Sequence, residues 1–402
     1  MARIGMTLAN PNYTGACKMA RLYGQAFLAA GHDVVLLHGP EITSENHDQT
    51  FIDALREDGF ETELIPEMNK LIGPAVIKNT VEQARKYTLD CLIGFQQRDI
   101  PVALKASKEL NLPALTSFQN QHTFHGRWPL PKLKESIFAR LVRKELTLGI
   151  CTSPAVQEEV VQRFKVLRKK TCVVYNGVEV LNFPEVSPEA CQLVRDEFGI
   201  ASDELMLINV GRIDPQKGLE TLAQAVVQFK KSHPDQKFKL IQVGDVIAGP
   251  NQQNILKYRE KLVDYVKSHG LADCFIMAGW RNDCPTLLKA ADIYVHSAIW
   301  EGWSLAVVEA MGARLPSIQT DCCGVPEHYE QGKHGFIVPK GDASALSNAM
   351  AQMIEFSAEK RSEIGEAGFQ FAAEYFEIQK TSQRFVQLVE ENLKTSPASK
   401  IS

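Results

Sequence analysis

Short apolar runs, each the length of a buried strand, alternate with amphipathic stretches along this 402-residue chain, and the alternation runs twice. Residues 3–9 (RIGMTLA), 33–38 (DVVLLH), 90–95 (DCLIGF), 113–117 (PALTS) and 148–152 (LGICT) read as buried parallel strands. Helix-like segments lie near 16–30, 72–86, 99–110, 132–147 and 154–165. A second strand set follows: 205–210 (LMLINV), 238–244 (FKLIQVG), 274–279 (CFIMAG), 292–297 (DIYVHS), 315–320 (LPSIQT) and 335–339 (GFIVP). Two successive βαβ series predict an α/β protein built from two doubly wound sheets. The stretch 176–190, with Asn-Gly and two prolines, breaks the rhythm and reads as an interdomain linker. We therefore expect domains at 1–180 and 191–377, a linker at 181–190, and a last helix at 378–395. Ligands of open α/β sheets bind beyond the carboxyl ends of the strands, so two such sheets predict one interdomain cleft.

The length fits two cores of roughly 150–200 residues each. No apolar run reaches bilayer-spanning length. The opening MARIGMTLANP reads as a first strand and not as a secretory signal, so a cytoplasmic location is expected. Nine cysteines at scattered spacings contain no CxxC pair, and the adjacent Cys322 and Cys323 read as reduced thiols. Charge is uneven: residues 1–180 hold 22 Lys and Arg against 19 Asp and Glu, and the remainder holds 22 against 29. Eleven basic and four acidic residues fall between Arg127 and Lys170. Within it, RWPLPKLKESIFARLVRKEL interleaves Trp128, Leu130, Leu133, Ile137, Phe138, Leu141 and Val142 with bases. That spacing suits an interfacial helix on an anionic membrane, and it equally suits a helix packed on its own sheet with lysines in water. No nucleic-acid partner is expected.

Two clusters carry chemistry. In GRIDPQKG (211–218), directly after LMLINV, Arg212 and Lys217 sit on a loop leading into the next helix. Arginine can fork two oxygens and lysine supplies a point charge, a combination suited to a diphosphate. In EGWSLAVVEAMG (301–312), after DIYVHS, Gly302 permits close ligand approach and Ser304 reads as an N-cap. The free amides of that first turn can face an anion or sugar hydroxyls. Glu301 precedes the helix and Glu309 lies about two turns below its start, and their separation of eight residues predicts that both fall near one helix face. The apolar neighbours of Glu309 predict that it is buried and needs partners, for which ribose hydroxyls would serve.

Together these clusters resemble the signature of the large family 4 of retaining glycosyltransferases, which includes bacterial mannosyl- and glucosyltransferases of GT-B fold. NGVE (176–179), Gly279-Trp280, Ala291-Asp292 and Gly324-Val325-Pro326-Glu327 stand where that family has comparable elements, so the likeness covers nearly the whole chain. The resemblance implies two Rossmann-like domains facing a cleft, the last helix returning to the amino-terminal, acceptor-side domain. It implies a nucleotide-diphosphate sugar as donor and a glycan or lipid-linked acceptor, with a role in bacterial cell-surface polysaccharide or glycolipid synthesis. By the same resemblance, Arg212 and Lys217 hold the diphosphate and Glu309 the ribose. Glu301, Gly302 and the backbone of Trp303, Ser304 and Leu305 address the sugar and distal phosphate. Gly279 and Trp280 lie by the base, and Gly15 approaches the phosphate from the amino-terminal domain.

One position departs from the pattern. Where family members commonly carry a histidine after the strand PALTSF, this chain has Gln119, with His122 and His125 following. Either Gln119 or His122 is expected at the donor sugar. No D-x-D occurs, so we expect no metal and no other cofactor. The first turn, NYTGACK, lacks the glycines of a dinucleotide-binding loop, which argues against an oxidoreductase. A nucleotide-sugar epimerase, a phosphorylase or a glycosyltransferase with a soluble acceptor remain alternatives on the same fold.

Overall fold

A computed structural model describes residues 1–41, 49–70, 73–122, 124, 129–246 and 252–395. The chain forms two compact units. The first comprises Met1–Asn176 together with the segment from Ile378 onward, and the second comprises Gly177–Glu377. The division thus falls at Asn176, inside the stretch that Asn-Gly and two prolines mark. Val178 and Val180 already pair with Phe376 and Glu377 of the second unit through backbone and carboxylate hydrogen bonds.

The first unit holds a parallel sheet of β1 (Arg3–Leu8), β2 (Asp33–His38), β3 (Glu61–Leu64), β4 (Cys91–Gly94), β5 (Ala114–Phe118), β6 (Leu148–Cys151) and β7 (Thr171–Val173). Their spatial order is β3-β2-β1-β4-β5-β6-β7. The crossovers are α1 (Gly15–Ala29), α2 (Phe51–Glu57), α3 (Pro74–Lys86), α4 (Ile100–Leu110), α5 (Leu130–Glu145) and α6 (Pro154–Glu158). All four residues of β4 and all five of β5 are buried, because helices cover both faces of a parallel sheet.

In the second unit α7 (Pro188–Glu197) precedes a sheet of β8 (Leu205–Val210), β9 (Phe238–Val243), β10 (Phe275–Gly279), β11 (Ile293–Val295), β12 (Ser317–Thr320) and β13 (Phe336–Val338). The order is β10-β9-β8-β11-β12-β13, again parallel. Connecting helices are α8 (Leu219–Ser232), α9 (Gln252–Ser268), α10 (Cys284–Ala290), α11 (Leu305–Gly312), α12 (Ala343–Glu355) and α13 (Ala358–Tyr375). Leu207, Leu240, Ile293 and Val295 from the strands meet Leu222, Val226, Phe229, Leu346 and Met350 from the helices in one core. Each such side chain contributes about 1.5–3 kcal/mol on leaving water, which fixes the strands and the loops at their ends.

The final helix, α14 (Ile378–Thr395), packs on α1 of the first unit. The Phe385 and Tyr23 rings stack there with centroids 4.0 Å apart and planes within 8°.

Candidate active site

In the second unit the strand order reverses between β8 and β11, so the loops leaving their carboxyl ends start side by side. A seam of backbone contacts joins the two loops. Gly218 has a left-handed φ of +62°, and a Cβ there would stand 2.1 Å from the Ser297 carbonyl oxygen. Only glycine tolerates both the conformation and the approach. Ser297 Oγ donates to the Lys217 carbonyl at 2.9 Å, and the Ile299 amide donates to the Gln216 carbonyl at 2.8 Å. Asp214 caps the short turn Pro215–Lys217 by accepting from the Gln216 amide at 2.9 Å. The seam aims Lys217 across the gap, where its ammonium donates to Glu301 Oε1.

Glu301 is only 5% exposed. Burial alone would raise its carboxyl, but the Lys217 ammonium and His296, whose Nε2 lies 3.5 Å from Oε1, outweigh burial and hold it at about 2. The group is therefore a carboxylate at neutral pH. His296 is itself buried, and its Nδ1 has no hydrogen-bond partner among the described residues. Arg212 is partly exposed beside this pair, with Nη2 donating to Gln216 Oε1 at 3.3 Å and Nη1 3.8 Å from Asp214. The two cations thus stand on one loop with different freedom: Lys217 is engaged and Arg212 faces solvent more openly.

The helix α11 begins only at Leu305, after the N-cap Ser304, whose hydroxyl makes no cap hydrogen bond. This corrects two expectations. Glu301 lies in the preceding loop, four residues before the helix, so the two glutamates do not share a helix face. Glu309 is the fifth residue of the helix and is half-buried, not buried. Helical periodicity explains the difference: Leu305, Ala306 and Glu309 form a partly open face, while Val307, Val308, Ala310 and Met311 turn into the core. Gly302 is buried, and the half-buried Trp303 ring packs against Phe376 with centroids 4.7 Å apart. The Trp303 indole is thus held by packing against the second unit's own core.

Gly279 ends β10 with φ +70°, and its carbonyl accepts from the Gly244 amide at 2.8 Å. Trp280, 39% exposed, follows it and donates Nε1–H to Asn282 Oδ1 at 3.0 Å. Arg212, Lys217, Glu301, Glu309, Gly279 and Trp280 thus all lie on or beside the carboxyl-end loops of one sheet.

The candidates of the first unit behave differently. Gly15 is exposed at the first position of α1, where the Asn12 side chain orders the preceding turn by accepting from the Thr14 amide at 2.8 Å. Gln119 is buried, donating to Ser117 Oγ at 2.6 Å and accepting from Asn176 Nδ2 at 2.9 Å. The expected sugar-contacting or catalytic role of His122 needs correcting. Its ring is buried among Phe118, Phe138 and Phe164, and its Nδ1 is 3.0 Å from Glu159 Oε2. An apolar cage and a fixed carboxylate partner make it a core histidine. His125, Arg127 and Trp128 lie outside the described residues.

The basic segment is partly committed to internal contacts. Arg163 binds Glu135 and Glu159, Arg168 binds Glu158, and Lys170 donates to the Leu146 carbonyl. On α5, Leu130, Leu133 and Ile137 remain exposed at helical spacing, beside the exposed Lys132, Arg140, Arg143 and Lys144. No described helix is long and apolar enough to cross a membrane.

Two family models match adjacent parts of the chain. The one described as Glycosyltransferase Family 4 matches residues 13–180, and the one described as Glycosyl transferases group 1 matches residues 192–371, which hold Arg212, Lys217, Gly279, Trp280, Glu301 and Glu309. The chain belongs to the family 4 glycosyltransferases of GT-B fold. Spore coat protein SA of Bacillus subtilis is 29% identical over 254 residues, covering 60% of this chain and 64% of that protein. The Escherichia coli UDP-Gal:alpha-D-GlcNAc-diphosphoundecaprenol alpha-1,3-galactosyltransferase is 27% identical over 244 residues, covering 58% and 59%. The matches thus span less than two thirds of either relative. Among solved structures, Anabaena HepE in complex with UDP-glucose superposes with a TM-score of 0.79 at 21% identity, covering 97% of this chain and all of that one. Sucrose-phosphate synthase from Thermosynechococcus elongatus does so at 0.77 and 19%, covering 97% and 99%. At those identities the likeness shows the fold.

The seam between the two loops has no local signature in the sequence. Gly218 stood in the motif and Ser297 at a strand end, but their mutual approach is a long-range contact with no local pattern. His296 was hidden for the same reason, as one more residue of a strand-like run.

Proposed function

We propose that this glycosyltransferase moves a sugar from a nucleoside-diphosphate sugar to a glycan or lipid-linked acceptor, with retention of anomeric configuration and without a metal. The observation that carries the proposal is the switch-point cluster: Arg212 and Lys217 on one loop, the ionised Glu301 on its neighbour, and a helix N-terminus without a side-chain cap beside them. As the bond from sugar to diphosphate breaks, negative charge grows on the leaving oxygens. Arg212, Lys217 and the amides from Trp303 to Leu305 are preorganised to stabilise it, which is the role a divalent cation fills elsewhere. Glu301, kept as an acceptor, suits sugar hydroxyls, and the open side of Glu309 suits ribose hydroxyls. Retention is supported by the family resemblance. The named activity of the E. coli relative, on a lipid-linked sugar, supports an acceptor in surface polysaccharide or glycolipid synthesis.

The exposed apolar stripe of α5, flanked by bases, supports a peripheral association of the first unit with an anionic membrane surface on its cytoplasmic side. Proton NMR of the product formed in EDTA tests the reaction itself: retained configuration is expected, and an inverted product, or activity that returns only with magnesium, contradicts it.

A further inference from the structure

Cys322 and Cys323 follow β12 in the short turn Asp321–Cys323, and neither is used by the transfer chemistry above. Their Sγ atoms are 3.7 Å apart. Both are buried, enclosed with Ala298 and backed by Trp303. Thr320 Oγ1 ties the turn to the Ala298 carbonyl at 2.6 Å, on the loop that carries Glu301. Cys323, Trp303 and Ser304, the N-cap of α11, line one small cavity. Cys322 lies within the electrostatic reach of His296 and Glu301. The pair therefore adjoins both features that the donor reading uses, the Glu301 loop and the amino end of α11.

We propose that Cys322 and Cys323 are a vicinal dithiol whose oxidation to a disulfide by a hydroperoxide weakens nucleotide-sugar binding. The Cys322 thiolate attacks the peroxide oxygen, so an S–O bond forms as the O–O bond breaks, and the alkoxide leaves as the alcohol after taking a proton. The Cys323 sulfur then displaces the new hydroxyl from Cys322, losing its own proton, and water departs. Two thiols and one hydroperoxide give one disulfide, one alcohol and one water. Closing the bond draws the sulfurs together and disturbs the packing of Cys323 beside Trp303 and Ser304.

Six of the other seven cysteines contrast with this pair. The hydrogen bond between the two thiols and the nearby His296, working against burial, bring Cys322 down to about 7. Burial pushes Cys17 and Cys91 up to about 12, Cys172 and Cys284 up to about 11, and Cys151 and Cys274 upward as well. Relative to those six, the thiolate, which is the reacting form, is favoured at Cys322.

The functional consequence rests on the proposed donor site, whereas the oxidation does not, and one experiment reads the two apart. The full chain is treated with hydrogen peroxide, its free thiols are alkylated, and the peptide bearing Cys322 and Cys323 is weighed, while UDP is titrated into reduced and oxidised protein. The expected result is a loss of two hydrogens on that peptide and roughly tenfold weaker UDP binding, both reversed by dithiothreitol. Cys322→Ser and, independently, Cys323→Ser should abolish this reversible loss. A peptide that keeps both thiols, or a disulfide that leaves UDP affinity unchanged, overturns the switch while leaving the donor reading intact. A chain whose reduced form binds no nucleoside diphosphate overturns the donor reading and the switch with it.

Discussion

The Lys217 ammonium is hydrogen-bonded to the Glu301 carboxylate although 84 residues separate them in sequence. The pair neutralises two charges that would each be costly in so buried a place. On the proposed donor site, incoming phosphate oxygens would compete with Glu301 for the same ammonium. Removing one partner leaves the other uncompensated, so substitutions here act on stability and on chemistry together.

Lys217→Ala and Arg212→Ala should each slow transfer by roughly 10²–10³-fold, the loss expected when one preorganised donor to developing charge is removed. Only Lys217→Ala should also change the acid stability profile. The folded Glu301 carboxyl, at about 2, lies below its ordinary value of 4.5. Its contribution to stability is therefore fully present above pH 4.5 and lost as pH falls toward 2. Without Lys217, burial drives the carboxyl upward and that contribution shrinks. Thermal midpoints of both variants between those limits check this, and parallel profiles for wild type and Lys217→Ala would refute it.

Gly218→Ala should separate the two loops without removing any charge. The new methyl collides with the Ser297 carbonyl in a left-handed backbone. A cost of roughly 1–3 kcal/mol is expected, lowering the melting temperature by several degrees. Nucleotide affinity should fall with it, because Lys217 loses its aim at Glu301. Calorimetry on the variant checks both effects, and unchanged values would deny the seam its positioning role.

Glu309→Ala should weaken nucleotide binding about tenfold, as one pair of charge-assisted hydrogen bonds to ribose is lost. Glu301→Ala should mainly reduce turnover. Titration of a nucleoside diphosphate into both variants separates these roles, and full affinity in the Glu309 variant would exclude the ribose assignment.

The double βαβ rhythm made the two sheets legible, because parallel strands buried on both faces leave nearly continuous apolar runs. The loops that carry Arg212, Lys217 and Glu301 were legible as well, since each begins where such a run ends. Glu309 was misjudged from its apolar neighbours, because a helix that begins at Leu305 turns position 309 to an open face. His122 was misjudged because nothing local discloses the cage of Phe118, Phe138 and Phe164, which three separate elements bring together.

Exposed Leu130, Leu133 and Ile137 on α5, flanked by Lys132, Arg140, Arg143 and Lys144, should bind anionic vesicles at low salt and release them as salt rises. Vesicle flotation measures this. Ile137→Glu should abolish binding without affecting transfer to a soluble acceptor analogue. Equal flotation of wild type and variant would leave α5 an ordinary solvated helix.

On the proposed function, the second unit holds a nucleoside diphosphate through Arg212 and Lys217 without a metal. Calorimetric titration of UDP and GDP in EDTA, into wild type and the Arg212→Ala/Lys217→Ala double variant, tests it directly. Saturable one-to-one binding of at least one nucleotide by wild type, reduced by 10²-fold or more on the order of 3 kcal/mol in the double variant, is the predicted result. Equal affinity in the two proteins, or binding that appears only when magnesium is restored, would contradict metal-free diphosphate binding by these two residues.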